Sequence, residues 1–134
     1  MKKILVVTLL ILLNACGPIY RSNLEELKQT AKQEDFGNPP PKNYKEIGEN
    51  AIKEYMRDPD SAQFKDWTEP HTCLFPSRNS MTMPELGWCN SVKVNGKNGF
   101  GGYIGYKLYH IVWKNNYIYY WYKDGEEYLK HYTK

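Results

Sequence analysis

Residues Lys107–Lys123 read KLYHIVWKNNYIYYWYK. Aromatic and β-branched residues fill both arms, and Asn115-Asn116 stands between them, a pattern that predicts a β-hairpin with a two-residue loop. Successive side chains along a strand point to opposite faces, so the loop fixes which residues share a face. Lys114 then opposes Tyr117, Trp113 opposes Ile118, Ile111 opposes Tyr120 and Tyr109 opposes Tyr122. One face carries Tyr109, Ile111, Trp113, Ile118, Tyr120 and Tyr122 and is expected to pack against a helix. The other carries Leu108, His110, Val112, Tyr119 and Trp121. This second face is expected to leave an exposed aromatic strip around His110, Tyr119 and Trp121.

Before the hairpin, Ser91–Val94 alternates as a strand. Asn95-Gly96 and Asn98-Gly99 tolerate positive φ and predict a turn. From Phe100-Gly101-Gly102-Tyr103 a long strand is expected to run to Trp113. Lys97, Phe100 and Tyr103 on this glycine-rich turn join His110, Tyr119 and Trp121 as the candidate binding surface, because aromatic residues suit contact sites as well as sheets. The turn does not fit a phosphate loop, which needs its lysine after the glycines at the start of a helix, whereas Lys97 comes early and a strand follows. After the hairpin, Asp124-Gly125 marks a further turn before a terminal segment from Glu127 to Tyr132.

The helix for this sheet lies upstream. Asn43-Tyr44-Lys45-Glu46 reads as a capping box, with Asn43 as N-cap. Tyr44, Gly48, Ala51, Ile52, Tyr55 and Met56 recur at three- and four-residue spacing as one apolar stripe. Pro59 ends the helix near Asp58. Asp58-Pro59-Asp60-Ser61 has turn chemistry, and Phe64–Trp67 reads as a short strand. The two aspartates lack the remaining ligands of a calcium loop, so local capping is their expected role.

Three cysteines occur: Cys16, Cys73 and Cys89. In an oxidising compartment the last two are expected to form a disulfide closing a loop that contains Pro76, Ser77, Asn79, Ser80, Pro84 and Gly87. The alternatives, a metal site using His71, Cys73 and Cys89 or a Cys73 thiol nucleophile beside His71, lack a second close ligand pair or an orienting third group.

At the start, Met1-Lys2-Lys3 precedes an apolar run from Ile4 to Leu13. As a helix that run spans roughly 15 Å, about half of a bilayer's hydrocarbon core, and so fits a secretory signal rather than a span. Leu13-Asn14-Ala15-Cys16 resembles the lipobox of bacterial lipoproteins. The resemblance implies cleavage before Cys16 and acylation of that residue with palmitate-like chains, an anchor to the membrane. Gly17, where an inner-membrane retention signal would carry Asp, implies sorting to the outer membrane, facing the periplasm. Residues 1–15 are then signal peptide, and 16–42 form a lipidated N-terminus and a flexible tether stiffened by Pro39-Pro40-Pro41. Residues 43–134 form a single α+β domain, one amphipathic helix on a small antiparallel sheet.

Charge narrows the function. The chain of 134 residues has a formal charge of +3, and removing residues 1–15 with Lys2 and Lys3 leaves +1. That balance, with export, argues against nucleic acid as partner. His71, His110 and His131 stand far apart with no nucleophile beside any, so no enzyme activity, cofactor or metal is expected.

Three further segments carry a resemblance. Asp58-Pro59-Asp60-Ser61-Ala62-Gln63-Phe64, then Cys89 with Val94-Asn95-Gly96-Lys97-Asn98, then Gly101-Gly102-Tyr103-Ile104-Gly105-Tyr106, resemble a family of small exported bacterial proteins with DP-x-SA-x-F and C…VN-x-KN…GGY-x-G motifs. The resemblance implies one compact domain and no reaction. The expected function is a non-enzymatic cell-envelope lipoprotein that binds an envelope protein or the cell wall. Alternatives are a periplasmic inhibitor or immunity lipoprotein against a toxin or lysozyme-like enzyme, and a lipoprotein component of a secretion or conjugation apparatus.

Overall fold

The computed structural model describes residues 24–77 and 84–124. The expected signal peptide, Cys16, the expected terminal segment Glu127–Tyr132 and His131 lie outside them. The fold is α+β: five strands form one antiparallel sheet, with helical segments ahead of it. Residues 24–30 are helical, Gln33–Phe36 forms a 3₁₀ turn, and the core helix is Tyr44–Lys53. The strands are β1 (Gln63–Lys65), β2 (His71–Pro76), β3 (Pro84–Asn95), β4 (Lys107–Lys114) and β5 (Tyr117–Lys123). Among the described residues, no helix is long and apolar enough to cross a membrane.

β3 is the spine. Its first half pairs with β2 and its second half with β1, both along one edge, while β4 occupies the other edge and β5 follows β4. The core helix buries Tyr44, Gly48, Ala51 and Ile52, the stripe its spacing predicts. These pack with Val92 and Val94 of β3, Ile111 and Trp113 of β4, and Ile118 and Trp121 of β5. Gly48 lets the helix approach closely: a Cβ there would meet the Trp67 ring at 2.9 Å and Ile111 at 3.0 Å. Asn43 holds the N-cap position, but its side chain makes no capping hydrogen bond, contrary to the expected capping box. The helix is entered instead through backbone, with the Tyr44 N–H donating to the Pro41 carbonyl at 3.0 Å.

The hairpin forms with its two-residue loop, and both Asn115 and Asn116 have positive φ, as this tight turn requires. Its faces differ from the expected ones beyond the first two residue pairs, Lys114–Tyr117 and Trp113–Ile118. Trp113 opposes Ile118, but Val112 opposes Tyr120 and Ile111 opposes Trp121. Tyr119 is the extra residue of a β-bulge, and one extra residue exchanges the faces of everything after it. Trp121 therefore enters the helix-side core, with Tyr109 5.5 Å away by ring centroid. Tyr120 turns to the outer face, where it packs with Phe75 and Val112.

The stretch between the cysteines is a second correction. It is largely a β-hairpin, with β2 and β3 paired from His71↔Cys89 to Pro76↔Pro84. Cys73 and Cys89 form the expected disulfide, diagonally across the two strands with a Cα–Cα distance of 5.8 Å. Both thiols are thus consumed, which removes the metal and nucleophile alternatives at His71.

The spacer expected over 16–42 is also partly docked. Trp88 Nε1 donates to the Gly37 carbonyl at 3.1 Å, which holds the end of the 3₁₀ turn on the sheet.

Candidate functional site

The connection between β3 and β4, residues 96–106, projects from one end of the sheet. It begins on a pedestal built by the Asp58-Pro59-Asp60-Ser61 turn. There the Asp58 side chain accepts the Ser61 N–H at 3.3 Å, and Ser61 Oγ donates to the Asp58 carbonyl at 2.8 Å. The same hydroxyl accepts the Lys97 N–H at 3.0 Å. One buried serine thus ties the turn after the helix to the root of the loop. Alongside it, Gln63 Oε1 accepts from Asn95 Nδ2 and from the Tyr106 hydroxyl, each at 3.4 Å. The Asp58–Phe64 stretch and the Val94–Tyr106 stretch, far apart in sequence, thus meet at this root.

The tip is braced by its own side chain. Asn98 Oδ1 accepts the N–H groups of Phe100 at 2.9 Å and Gly102 at 3.1 Å, and the Asn98 N–H donates to the Gly102 carbonyl at 2.8 Å. Lys97 and Tyr103 form a bridge, and the Ile104 N–H donates to the Gly96 carbonyl at 3.3 Å. Positive φ falls at Gly101 (81°) and Gly105 (91°), rather than at the Asn-Gly pairs where the sequence suggests it. Gly105 also ends the long strand expected from Phe100 to Trp113, so β4 starts at Lys107.

This scaffold presents apolar side chains to solvent. Phe100 is 99% exposed, and Tyr103, Ile104 and Tyr106 are exposed beside it. Burying large apolar groups is the main driving force of folding, so a fully exposed Phe on an ordered turn marks a candidate contact surface. Cations flank the rings: Lys97 Nζ lies 5.5 Å from the Tyr103 centroid and Lys65 Nζ 3.9 Å from that of Tyr106. The Arg57 guanidinium lies against Gly99, in the space a Cβ would occupy.

Of the six candidate surface residues, the structure brings Lys97, Phe100 and Tyr103 together on this loop. His110, Tyr119 and Trp121 do not form the expected exposed strip. Trp121 is only 3% exposed and sits in the core, because of the bulge at Tyr119. His110 is half-buried on the outer face, its ring 4.8 Å from that of Tyr122, with Nε2 3.7 Å from Asp124 Oδ1. Tyr119 is half-buried against Phe75, 5.9 Å between ring centroids. Ile104, Tyr106, Arg57 and Lys65 belong to the loop surface and escape the sequence reading. Gly105 inside an apparent strand is the signal that marks the first two as loop residues.

On the outer face a polar cluster closes the far end of β3. Glu85 accepts hydrogen bonds from Ser77 Oγ at 2.7 Å, from the Tyr119 hydroxyl at 3.4 Å and from Lys114 Nζ. Burial pushes the Glu85 carboxyl up, but the bonds from Lys114, Ser77 and Tyr119 and the charge on Lys114 outweigh it and hold the group below its ordinary range. Such a cluster ties the start of β3 to β4 and β5 on this face. Among the described residues, no group of three or more His, Cys, Asp or Glu side chains is placed to hold a metal ion. Compared with known proteins, the chain matches no family model, no curated protein and no solved structure.

Proposed function

We propose that this protein is a small non-enzymatic lipoprotein of the cell envelope that binds another envelope protein through the loop between β3 and β4. The observation that carries this reading is Phe100, fully exposed at the tip of a loop whose backbone is fixed by Asn98 and rooted on Ser61. A loop already held in one conformation loses little entropy on docking, so its exposed ring is available for affinity. Aromatic residues at such positions carry much of the energy of protein interfaces. The lipobox resemblance at Leu13–Cys16 supports the location, with Cys16 as anchor and residues 16–32 as the spacer.

A second reading rests on the same protrusion: an inhibitor or immunity lipoprotein that inserts the loop into the cleft of a toxin or lysozyme-like enzyme. Both readings are tested by cross-linking the full chain in intact cells and identifying what co-purifies. Phe100→Ala and Tyr103→Ala should each remove the same partner while leaving the melting temperature unchanged. Retention of every partner by both variants would refute the contact assignment. Protection of cells against a challenging toxin, lost with Phe100→Ala, would select the inhibitor reading.

A further inference from the structure

From the charge pattern around the loop we infer that its partner is a protein offering an apolar pocket rimmed by carboxylates. This rests on the loop being the contact element and adds the chemistry of what it contacts. Between Leu86 and Lys123 the chain contains no Asp or Glu, while it contains Lys93, Lys97, Lys107, Lys114 and Lys123. At the sheet, some of this charge is answered from elsewhere: Lys93 pairs with Asp66 at 2.9 Å and Lys114 with Glu85. At the loop it is not. Among the described residues, Arg57, Lys97 and Lys107 take part in no salt bridge. Of the two pedestal carboxylates, Asp58 accepts the Ser61 N–H and Asp60 is exposed, and neither forms a salt bridge with these cations.

The apolar and cationic groups are arranged in order. Phe100 stands foremost, Lys97 and Tyr103 bridge behind it, and Arg57 lies against Gly99 at the side. A pocket that receives Phe100 therefore brings its rim to Lys97 and Arg57. Carboxylates there would meet both cations, whereas a basic rim would be repelled. The choice of a protein over an anionic lipid surface comes from the bracing. Asn98 and the bridge at Lys97 hold the backbone at Phe100 in one conformation, a device that matters for entering a shaped cavity. A fluid bilayer accepts an apolar tip in any orientation.

The test places photoreactive p-benzoylphenylalanine at Ile104, an exposed collar position, in the full chain in living cells. The expected adduct is with one protein, attached at an apolar pocket flanked by Asp or Glu. With that protein purified, Phe100→Ala should weaken binding about thirtyfold, as a central aromatic anchor does. The paired change Arg57→Glu and Lys97→Glu should weaken it about tenfold or more, slow association and reduce its salt dependence. Both sites are exposed, and unchanged melting of the variants confirms that they fold. If the charge reversal left affinity and salt dependence unchanged, the acidic rim would be wrong while the contact reading stood. Adducts with phospholipid or cell-wall fragments, or no adduct at all, would overturn both.

Discussion

Trp121 shows how much hangs on a single side chain's face. On the outer side of the sheet it would be a contact residue; in the core it joins Ile111, Trp113 and Ile52. Replacing a buried Trp with Ala removes its packing and leaves a cavity, so Trp121→Ala should cost about 3–5 kcal/mol. Thermal unfolding followed by circular dichroism should show that loss, and an unchanged melting temperature would return Trp121 to the surface. Gly87 makes a second test where side-chain movement gives no relief. A Cβ at this position would meet the Trp113 carbonyl oxygen at 2.6 Å and the Phe75 ring at 2.8 Å. Gly87→Ala should therefore destabilise by about 1–3 kcal/mol, since backbone in the middle of a sheet moves only with its neighbours. A denaturant midpoint equal to that of the native chain would contradict this packing.

Among the elements, the helix and the tight turn at Asn115-Asn116 are legible because one signal points one way: a three-and-four apolar spacing in the first, two residues tolerant of positive φ in the second. The bulge at Tyr119 is illegible for the opposite reason. Along Tyr119-Tyr120-Trp121-Tyr122 every residue is aromatic, so both registers bury apolar surface, and only packing against Phe75 and the helix decides between them. The β2–β3 hairpin is hidden by Pro76 and Pro84, which read as loop residues but sit as the facing ends of two strands. The loop's position follows from its glycines, whereas its braces at Ser61 and Asn98 are tertiary or local hydrogen bonds that no spacing announces. The disulfide crosses the stapled hairpin with a sequence separation of 16. Closing a loop of that size stabilises by about 3 kcal/mol in the chain-entropy account. The double change Cys73→Ser and Cys89→Ser should lower unfolding free energy by about that amount in denaturant titration, and equal stability of the two forms would refute a structural role for the bridge.

For the whole molecule, β3 separates stability from contact. Its twelve residues run roughly 36 Å, at about 3.3 Å per step, from the disulfide hairpin and the Glu85–Lys114 cluster at one end to the projecting loop at the other. The Glu85–Lys114 pair is therefore remote from the proposed contact. Glu85 has its carboxyl held below the ordinary range, so the stability it contributes is present above the unfolded value near ~4.3 and is lost as pH falls through the lower folded value. At the alkaline side, the Glu85 hydrogen bond and charge hold Lys114 above its ordinary range against the opposing effect of burial. Its contribution persists below the ordinary lysine value and is lost as pH rises through the raised one. Burial and the charge on Asp124 likewise raise the Tyr122 phenol, which adds to the alkaline loss. Glu85→Gln keeps the shape but removes the charge that Lys114 meets. Its melting temperature should lie below that of the native chain at neutral pH, and the gap should close as both are taken below about pH 4. The same variant should also lose part of the alkaline limb, because Lys114 no longer has an anion beside it. A gap that stayed constant from neutral to strongly acidic pH would mean that Glu85 stabilises through packing alone. Binding through Phe100 should be unaffected by the substitution at any pH where the domain is folded, since the pair and the loop lie at opposite ends of the spine.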